Sequence, residues 1–344
     1  MEEFLKIFCC PACQGKVEAK NNQIKCLNCK KIFSFDEDGV LKIAKENSFF
    51  GKDQEKMNEL IKAIRKMSSF EELEKNILKL EKLSPDFSFK YCLDPRRADW
   101  TFLGDFFSKI VVDLGAGYGS ISIPLARKAK LVIAIDSCLE RIKFLSQIAR
   151  LKNLKNVISI FGDAIKLPFR ENSIDRFLMV GLLEYFGKNQ EKLLLYLYKF
   201  LKPGGEIWIG IENKLSPIYF LGRRYHDEEL PFEPFLPEFL THLLHKIIWR
   251  RPPTVKLRTK KGYFELLKKA GFHDIQFFYS FPDYKNPAFI ASTDKEGIIF
   301  DYLQRKKWTG SDFKVKLIAK GVKILDKMNL AGIFAPTFFI KAKK

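Results

Sequence analysis

Five short apolar runs recur through the middle of the chain and are separated by longer amphipathic stretches. Runs of this length that are rich in Val, Ile and Leu predict buried strands, and the stretches between them have the spacing of helices. The resulting order β-α-β-α-β-α-β-α-β is typical of a doubly wound parallel sheet, whose ligands bind at the carboxyl ends of the strands. The strands are predicted at residues 110–112, 131–135, 157–161, 176–180 and 206–211.

Helical spacing also marks the segments on both sides of this core. Residues 53–83 lack Gly and Pro and carry apolar residues at helical intervals, which predicts two solvated helices that link the amino-terminal region to the core. A lid over a ligand is the alternative for this segment. Residues 235–249 carry a helical apolar stripe, and 334–340 would be the closing strand of the sheet. The predicted domains are 1–45, 46–95 and 96–344, with insertions at about 213–261 and 282–332.

A glycine-rich turn follows the first strand of the core. The strand ends at Asp113, and glycines occupy positions 115, 117 and 119. Glycine permits unusual φ angles and a close approach of the backbone to a ligand. Dinucleotide-binding turns have the pattern G-x-G-x-x-G, but here the third glycine comes one residue earlier. The G-x-G-x-G form after an acidic residue suits a cofactor that carries an amino-acid tail instead of a pyrophosphate.

Acidic residues also end the next two strands. Asp136 stands at the tip of the second strand, where a carboxylate can accept hydrogen bonds from both ribose hydroxyls. Asp163 follows the third strand, where a carboxylate can accept a hydrogen bond from an adenine amino group. Any one of these residues alone could be a helix cap or a turn former. Three of them at successive strand ends favour a single nucleoside-containing cofactor.

Taken together, these motifs resemble the class I S-adenosylmethionine-dependent methyltransferases over residues 96–212. The resemblance implies a Rossmann-like, mostly parallel sheet with an antiparallel last strand, here accompanied by an amino-terminal zinc ribbon and helical insertions. It implies that S-adenosylmethionine is the cofactor and that a methyl group is transferred to an O or N nucleophile. The segments that carry the resemblance are 112–119, 134–137, 161–168, 175–185 and 201–209.

The resemblance assigns parts of the cofactor to individual residues. Asp113, Gly115 and Gly117 would line the methionine end. The carboxylate after the second strand would bind the ribose, and the residues after the third strand would bind the adenine. The complete predicted set is Asp113, Gly115, Ala116, Gly117, Gly119, Asp136, Ser137, Asp163 and Ala164, with Gly181 and Leu182 along the methyl-transfer face.

A narrower resemblance concerns the methyl acceptor. Residues 141–157, 211–215 and 281–285 resemble methyltransferases associated with cell-surface glycan synthesis. That group carries an acidic residue before the histidine that corresponds to His226, where this chain has Tyr225, so the role of an acid–histidine base is in doubt. A sulfonium methyl needs mainly an aligned nucleophile, so a base is optional. The candidate bases are His226, Glu184 and Glu212, and for each a surface or structural role is the favoured alternative.

Three functions therefore remain open. The first is methyl transfer to a glycan or another polar, small-molecule or lipid-linked acceptor. The second is RNA methylation, although residues 180–185 lack the Asn/Asp-Pro-Pro-aromatic motif that grips an exocyclic base amine. The third is a scaffold protein that binds the cofactor without catalysis, which the intact glycine and acidic positions disfavour.

Two C-x-x-C pairs lie near the amino terminus, Cys10 with Cys13 and Cys26 with Cys29. Each pair can form a tight knuckle, and two knuckles complete a tetrahedral thiolate site for structural zinc. The segment is too short to bury a core, so a metal would supply its stability. A redox dithiol is the alternative, but such a motif needs only one pair. The segment also resembles the zinc ribbons that precede some bacterial and archaeal methyltransferase domains.

Charge and hydropathy limit the partners. The formal net charge of +19 favours a polyanionic partner, with an ordinary lysine-rich surface as the alternative. The stripe at 235–249 precedes Arg250-Arg251, so it could lie on an anionic membrane, but we expect it to be buried as a cap of the substrate pocket. No signal-peptide pattern and no run of ~20 apolar residues is present, so we expect a cytoplasmic protein without a transmembrane segment.

Overall fold

The computed structural model describes most of the chain and divides it into two compact units. The first unit comprises Met1–Met179, Tyr196–Glu206 and Lys344, and the second comprises Val180–Leu195 and Ile207–Lys343. The described residues are 1–20, 22–48, 53–84, 87–220, 222, 230, 232–253, 255–281, 283–287, 289–292, 324, 330 and 332–344. His226 and most of the predicted insertion at 282–332 lie outside them.

Helices and strands alternate along the described residues. The helices are α1 (Glu2–Ile7), α2 (Gln54–Arg65), α3 (Phe70–Leu83), α4 (Phe89–Cys92), α5 (Ser122–Leu125), α6 (Leu139–Leu151), α7 (Gln190–Phe200), α8 (Pro217–Phe220), α9 (Glu238–Trp249) and α10 (Lys260–Lys269), with 3₁₀ helices at Pro95–Leu103, Leu183–Asn189 and Glu233–Phe235. The strands are β1 (Val17–Lys20), β2 (Gln23–Cys26), β3 (Ile32–Ser34), β4 (Val40–Lys42), β5 (Ile110–Leu114), β6 (Leu131–Asp136), β7 (Val157–Phe161), β8 (Ile174–Val180), β9 (Leu201–Glu212), β10 (His273–Phe281), β11 (Phe289–Ser292) and β12 (Thr337–Lys343).

A parallel sheet forms the centre of the first unit. Its strand order is β9-β8-β5-β6-β7-β4, where β9 contributes its first residues. Strands β5 and β6 pair in parallel, and every residue of both strands is buried. A strand that is covered on both faces needs a continuous apolar run, which is why these strands do not show an alternating pattern in the sequence.

The amino-terminal region is joined to this sheet. Strands β1, β2 and β3 form a separate antiparallel sheet, whereas β4 pairs in parallel with β7. The register joins Val40 to Ser159 and Lys42 to Phe161. The first unit therefore has a strand from the amino-terminal region at the edge of its parallel sheet. The division of the chain at residues 45 and 95 stays a prediction.

The two helices predicted within 53–83 form and pack against the core. The side chain of Asp53 caps α2 by accepting a hydrogen bond from the Lys56 N–H, and Ser69 caps α3 in the same way. Helix α2 packs on α6. Burial of each such apolar side chain contributes about 1.5–3 kcal/mol, which holds the helices on the sheet layer. The buried face of α2 consists of Met57, Leu60, Ile61 and Ile64.

The second unit contains the strands β11-β10-β12-β9 in this order, and β10 pairs antiparallel with both β11 and β12. Strand β12 runs antiparallel to β10, with Phe277 opposite Ile340. The closing strand thus begins at Thr337, three residues after the predicted start at 334. The predicted fold class, a mostly parallel Rossmann-like sheet with an antiparallel last strand and added helices, is confirmed.

One expectation about the second unit is wrong. The apolar stripe of 235–249 was expected to be buried as a pocket cap, but α9 exposes much of it within the described part of the chain. The residues that α9 buries are Thr241 and His245, because the His245 Nε2 lies 2.9 Å from both carboxylate oxygens of Glu233. This polar pairing turns the apolar side of the helix outward.

Candidate cofactor site and cysteine cluster

The glycines of the turn after β5 have two different surroundings. Gly115, Gly117 and Gly119 all have positive φ angles, of 69°, 54° and 88°. A Cβ built on Gly119 would lie 2.6 Å from the Leu145 Cγ, so this position needs glycine to let α6 pack closely. A Cβ built on Gly117 would meet nothing nearer than the Gly115 carbonyl oxygen at 4.0 Å. Gly117 therefore faces open space, where a ligand can approach the backbone.

Asp113 lies buried at the end of β5, behind this turn. Its Oδ2 accepts a 2.6 Å hydrogen bond from the Ser122 hydroxyl. Burial raises the pKa of Asp113 to about 7; the hydrogen bond from Ser122 opposes this rise, and the charge of Asp136 adds to it. The carboxyl therefore influences the site through its charge and through the turn that it supports.

Asp136 ties the glycine turn to the start of α6. Its Oδ2 accepts a hydrogen bond from the Gly117 N–H at 2.8 Å, and its Oδ1 accepts one from the Cys138 N–H at 2.8 Å. Burial raises the pKa of Asp136, although these N–H groups favour the charged form. Each carboxylate oxygen keeps a second lone pair with which it could accept a hydrogen bond from a ribose hydroxyl. The positioning of Gly117 by Asp136 could not be read from the sequence.

Asp163 lies on the exposed rim of the same strand ends. Its Oδ1 accepts a hydrogen bond from the Ile165 N–H at 3.1 Å, which forms a local turn. The preceding Gly162 donates its N–H to the Asp136 carbonyl oxygen at 3.0 Å. The structure therefore brings the predicted residues after β5, β6 and β7 together at one edge of the first unit's sheet.

A segment that the sequence analysis treated as part of a linker also reaches this edge. The Ser48 N–H donates to the Ser137 carbonyl oxygen at 2.9 Å, and the Asn47 Oδ1 accepts from the Leu139 N–H at 2.9 Å. The Asn47 amide donates to the buried Glu140 carboxylate, as does the Gln54 amide at 2.7 Å. Burial alone would raise the pKa of Glu140, but these hydrogen bonds lower it. No local sequence signal predicts contacts between residues about ninety positions apart.

The predicted residues of the methyl-transfer face lie in the second unit. Gly181 has a φ of 71°, and a Cβ there would lie 2.8 Å from the Tyr284 hydroxyl, so only glycine fits. Glu184 is buried, and its carbonyl accepts a hydrogen bond from the Lys256 N–H. Glu212 is also buried, and its carboxylate accepts a short hydrogen bond from the Tyr219 hydroxyl. These positions fit structural roles, and a catalytic role for Glu184 or Glu212 stays a prediction.

The four cysteines of the C-x-x-C pairs converge in space. The Sγ atoms of Cys10, Cys13, Cys26 and Cys29 all lie within 4.8 Å of one another, and none is in a disulfide. In a tetrahedral zinc site with Zn–S bonds of about 2.3 Å, the sulfurs lie roughly 3.8 Å apart. Desolvation opposes ionisation of Cys26, but the N–H groups of Cys29 and Asn28 lower its pKa to about 6. The donor set and its spacing fit a zinc ion.

The chain is similar to known methyltransferases. Residues 112–209 match the family model described as a methyltransferase domain. A ubiquinone biosynthesis O-methyltransferase of Rickettsia akari is 28% identical over 170 residues, which are 45% of this chain and 66% of that protein. A phosphoethanolamine N-methyltransferase 1 of Triticum aestivum is 32% identical over 136 residues, which are 36% of this chain and 27% of that protein.

Among solved structures, phosphoethanolamine N-methyltransferase 1 of Haemonchus contortus aligns with a TM-score of 0.45 and 16% identity, over 85% of this chain and 50% of that one. The chain thus spans two thirds or less of these relatives' lengths. The prediction of a methyltransferase domain is confirmed over residues 112–209 by the family match. No helix in the described ranges has the length and hydrophobicity to span a bilayer.

Proposed function

We propose that the methyltransferase domain binds S-adenosylmethionine and transfers its methyl group to an oxygen or nitrogen nucleophile. The observation that carries the proposal is the open space beside Gly117, whose N–H is held by the Asp136 carboxylate at the strand ends. The backbone can approach a ligand closely at this point, because no side chain occupies the space. The relatives that share this region are themselves methyltransferases by name.

The charge of the site supports the same ligand. Asp113 and Asp136 are two buried carboxyl groups that interact through their charges, and both have raised pKa values. A cation bound beside them would favour their ionised forms. The charge of Arg141 opposes the rise at Asp136. S-adenosylmethionine carries a sulfonium and an ammonium group, so it offers further positive charge to these carboxyl groups.

The chain's own residues mainly have to position the reactants. The bound cofactor supplies a methyl group on a sulfonium, which is already a good leaving group. Alignment of a nucleophile with such a bond can contribute as much as ~7–11 kcal/mol to the barrier reduction. We propose that Asp136 orients the ribose, that Asp163 and Ala164 contact the adenine, and that Gly115, Ala116 and Ser137 complete the site. Gly181, Leu182, Glu184, Glu212 and His226 stay proposed residues of the acceptor side.

For the acceptor, we propose a glycan or another polar, small-molecule or lipid-linked molecule. The support is the sequence resemblance to methyltransferases of cell-surface glycan synthesis. The relatives in the comparison act, by their names, in ubiquinone biosynthesis and on phosphoethanolamine, so they support small-molecule acceptors without selecting one. RNA methylation and a non-catalytic scaffold are the alternatives.

We also propose that the four clustered cysteines hold a structural zinc ion. The support is the convergence of four thiols within 4.8 Å of one another. Such a site would contribute folding energy to a segment that is too short for a core of its own.

Calorimetry and methyl labelling test the proposal. We expect the chain to bind S-adenosylmethionine. Asp136→Asn should bind it at least tenfold more weakly, because the amide side chain has one accepting oxygen where the carboxylate has two. Asp105→Asn is the matched control, since Asp105 is exposed and caps a turn away from the strand ends.

Incubation with methyl-labelled cofactor and a fractionated extract would then show whether RNA, glycan, lipid or protein becomes labelled. Absence of cofactor binding by the unaltered chain would overturn the proposal, and binding without labelling would favour the scaffold.

A further inference from the structure

Helix α9 buries polar residues and exposes apolar ones, whereas an ordinary surface helix does the reverse. Thr241 and His245 form its buried side. On the other side, the exposed fractions are 75% for Phe239, 50% for Leu243 and 66% for Ile247 among the described residues. These three residues follow one another at intervals of four, so they form one continuous stripe. Single exposed apolar residues are common, but an apolar stripe of this kind marks a binding surface.

Basic residues border the stripe and continue beyond it. Lys246 is exposed and lies three residues after Leu243, so it is next to the stripe on the same side of the helix. Helix α9 ends at Trp249, because the next residue, Arg250, has a φ of 55° that breaks the helix, and Arg251 follows. The segment 241–261 contains seven Lys and Arg residues and no acidic residue. The acidic residue of α9, Glu238, lies at the start of the helix and pairs with Lys256 at 3.4 Å. From Thr241 onward, the helix therefore combines an apolar face with positive charge.

We infer that the α9 stripe docks onto an anionic membrane surface. A helix of twelve residues is about 18 Å long, which is too short to cross a bilayer and suits a position in the plane of the interface. Phe239, Leu243 and Ile247 would enter the boundary between headgroups and acyl chains, while Lys246, Arg250 and Arg251 would contact lipid phosphates.

A second copy of the chain is a poorer occupant of the same surface. A symmetric contact through α9 would bring two sets of Lys246, Arg250 and Arg251 together. Each copy also carries a formal net charge of +19, so the two chains repel each other. Anionic lipid headgroups complement this charge, and the stripe needs no partner of matching shape in order to enter a bilayer.

Vesicle flotation tests this inference. We expect the full chain to float with vesicles of phosphatidylcholine and phosphatidylglycerol and much less with phosphatidylcholine alone. The double variant Phe239→Ser/Ile247→Ser should weaken binding on the order of a hundredfold, because two inserted side chains are lost. Arg250→Glu/Arg251→Glu should weaken it by about tenfold or more, and added salt should have a similar effect.

The control variant is Leu78→Ser, which removes an apolar side chain that is 80% exposed on α3. It should bind vesicles as the unaltered chain does, and the serine variants should keep their thermal midpoint because Phe239, Ile247 and Leu78 are exposed. Absence of vesicle binding by the unaltered chain, or equal binding by the α9 variants, would overturn the inference. Dimerisation that depends on Phe239 and Ile247, without vesicle binding, would assign the surface to a second copy instead. Gly117→Ala should keep vesicle binding, so this test is separate from that of the methyl-transfer proposal.

Discussion

Gly117 and Gly119 stand two residues apart in one turn, yet they are required for different reasons. Both have positive φ angles, so any other residue is strained there by roughly 1–2 kcal/mol. Only at Gly119 would a side chain also collide with a neighbour, the Leu145 side chain. The pattern of glycines in the sequence cannot separate a position that serves a ligand from a position that serves packing.

Alanine substitutions should separate the two roles. Gly119→Ala should lower the free energy of unfolding by about 2–5 kcal/mol, since overpacking adds ~1–3 kcal/mol to the backbone strain. Gly117→Ala should lower it by roughly 1–2 kcal/mol and should abolish most cofactor binding. Urea denaturation and calorimetry would measure both effects. Equal stability losses for the two variants would contradict the assignment, and partial rescue of Gly119→Ala by Leu145→Ala would support it.

The raised pKa of Asp113 predicts a specific pH dependence. Its folded-state pKa of about 7 exceeds the ordinary value of 3.8, so the folded state holds this proton more tightly than the unfolded state does. The contribution of this group to stability is therefore largest below pH 3.8 and is lost as the pH rises towards 7. Asp113→Asn keeps an oxygen that can accept the hydrogen bond from the Ser122 hydroxyl, and it removes the titratable carboxyl group. The stability of the variant relative to the unaltered chain should rise between pH 4 and 7, by at most about 1.4 kcal/mol per pH unit; a difference that stays constant with pH would exclude this effect.

At the scale of elements, β4 and the segment before it are attached by a buried polar network. Asp38 accepts two hydrogen bonds from Arg65 of α2 at 2.8 Å each and one from Gln147 of α6 at 2.9 Å. Lys143 lies 3.4 Å from the same carboxylate. The network therefore joins the segment before β4 to two helices of the first unit.

Removal of Arg65 should weaken this attachment. Arg65→Leu leaves the buried Asp38 carboxylate with fewer partners, so we expect a loss of ~3 kcal/mol in the free energy of unfolding. The control is Arg96→Gln, which removes an exposed guanidinium paired with Asp94 and should change stability by less than ~1 kcal/mol. Similar losses for both variants would show that the Asp38 network does not hold the element in place.

Metal removal should act on the same elements. We expect one zinc per chain by elemental analysis, and Cys13→Ser or a strong chelator should remove it and unfold residues 10–29. Cys92→Ser is the control, because Cys92 is buried away from the cysteine cluster and burial raises its pKa to about 12. Full zinc content in Cys13→Ser, or none in the unaltered chain, would contradict the assignment.

At the scale of the molecule, the net charge of +19 guarantees some attraction to any polyanion. Attraction of this kind does not identify an acceptor, because it falls steeply with added salt, which makes the release of counterions on binding less favourable. We therefore expect RNA to bind weakly and non-specifically, and labelling of the true acceptor to persist at salt concentrations that abolish RNA binding. Methyl transfer to RNA whose rate follows RNA affinity across the salt series would overturn this expectation and favour RNA methylation.

Sequence alone determined those features that depend on residues close together in the chain. The apolar runs of β5 and β6, the glycine turn and the spacing of the four cysteines are local patterns, and a strand, a turn or a knuckle follows from them directly. Tertiary structure decided which side of α9 is covered, that Asp136 holds Gly117, and that Asn47 reaches Glu140. A helical stripe has the same period whether it faces the core or solvent, so the sequence does not show which side is covered. Contacts between distant residues form only when burial elsewhere in the fold offsets the entropy lost on closing the loop between them.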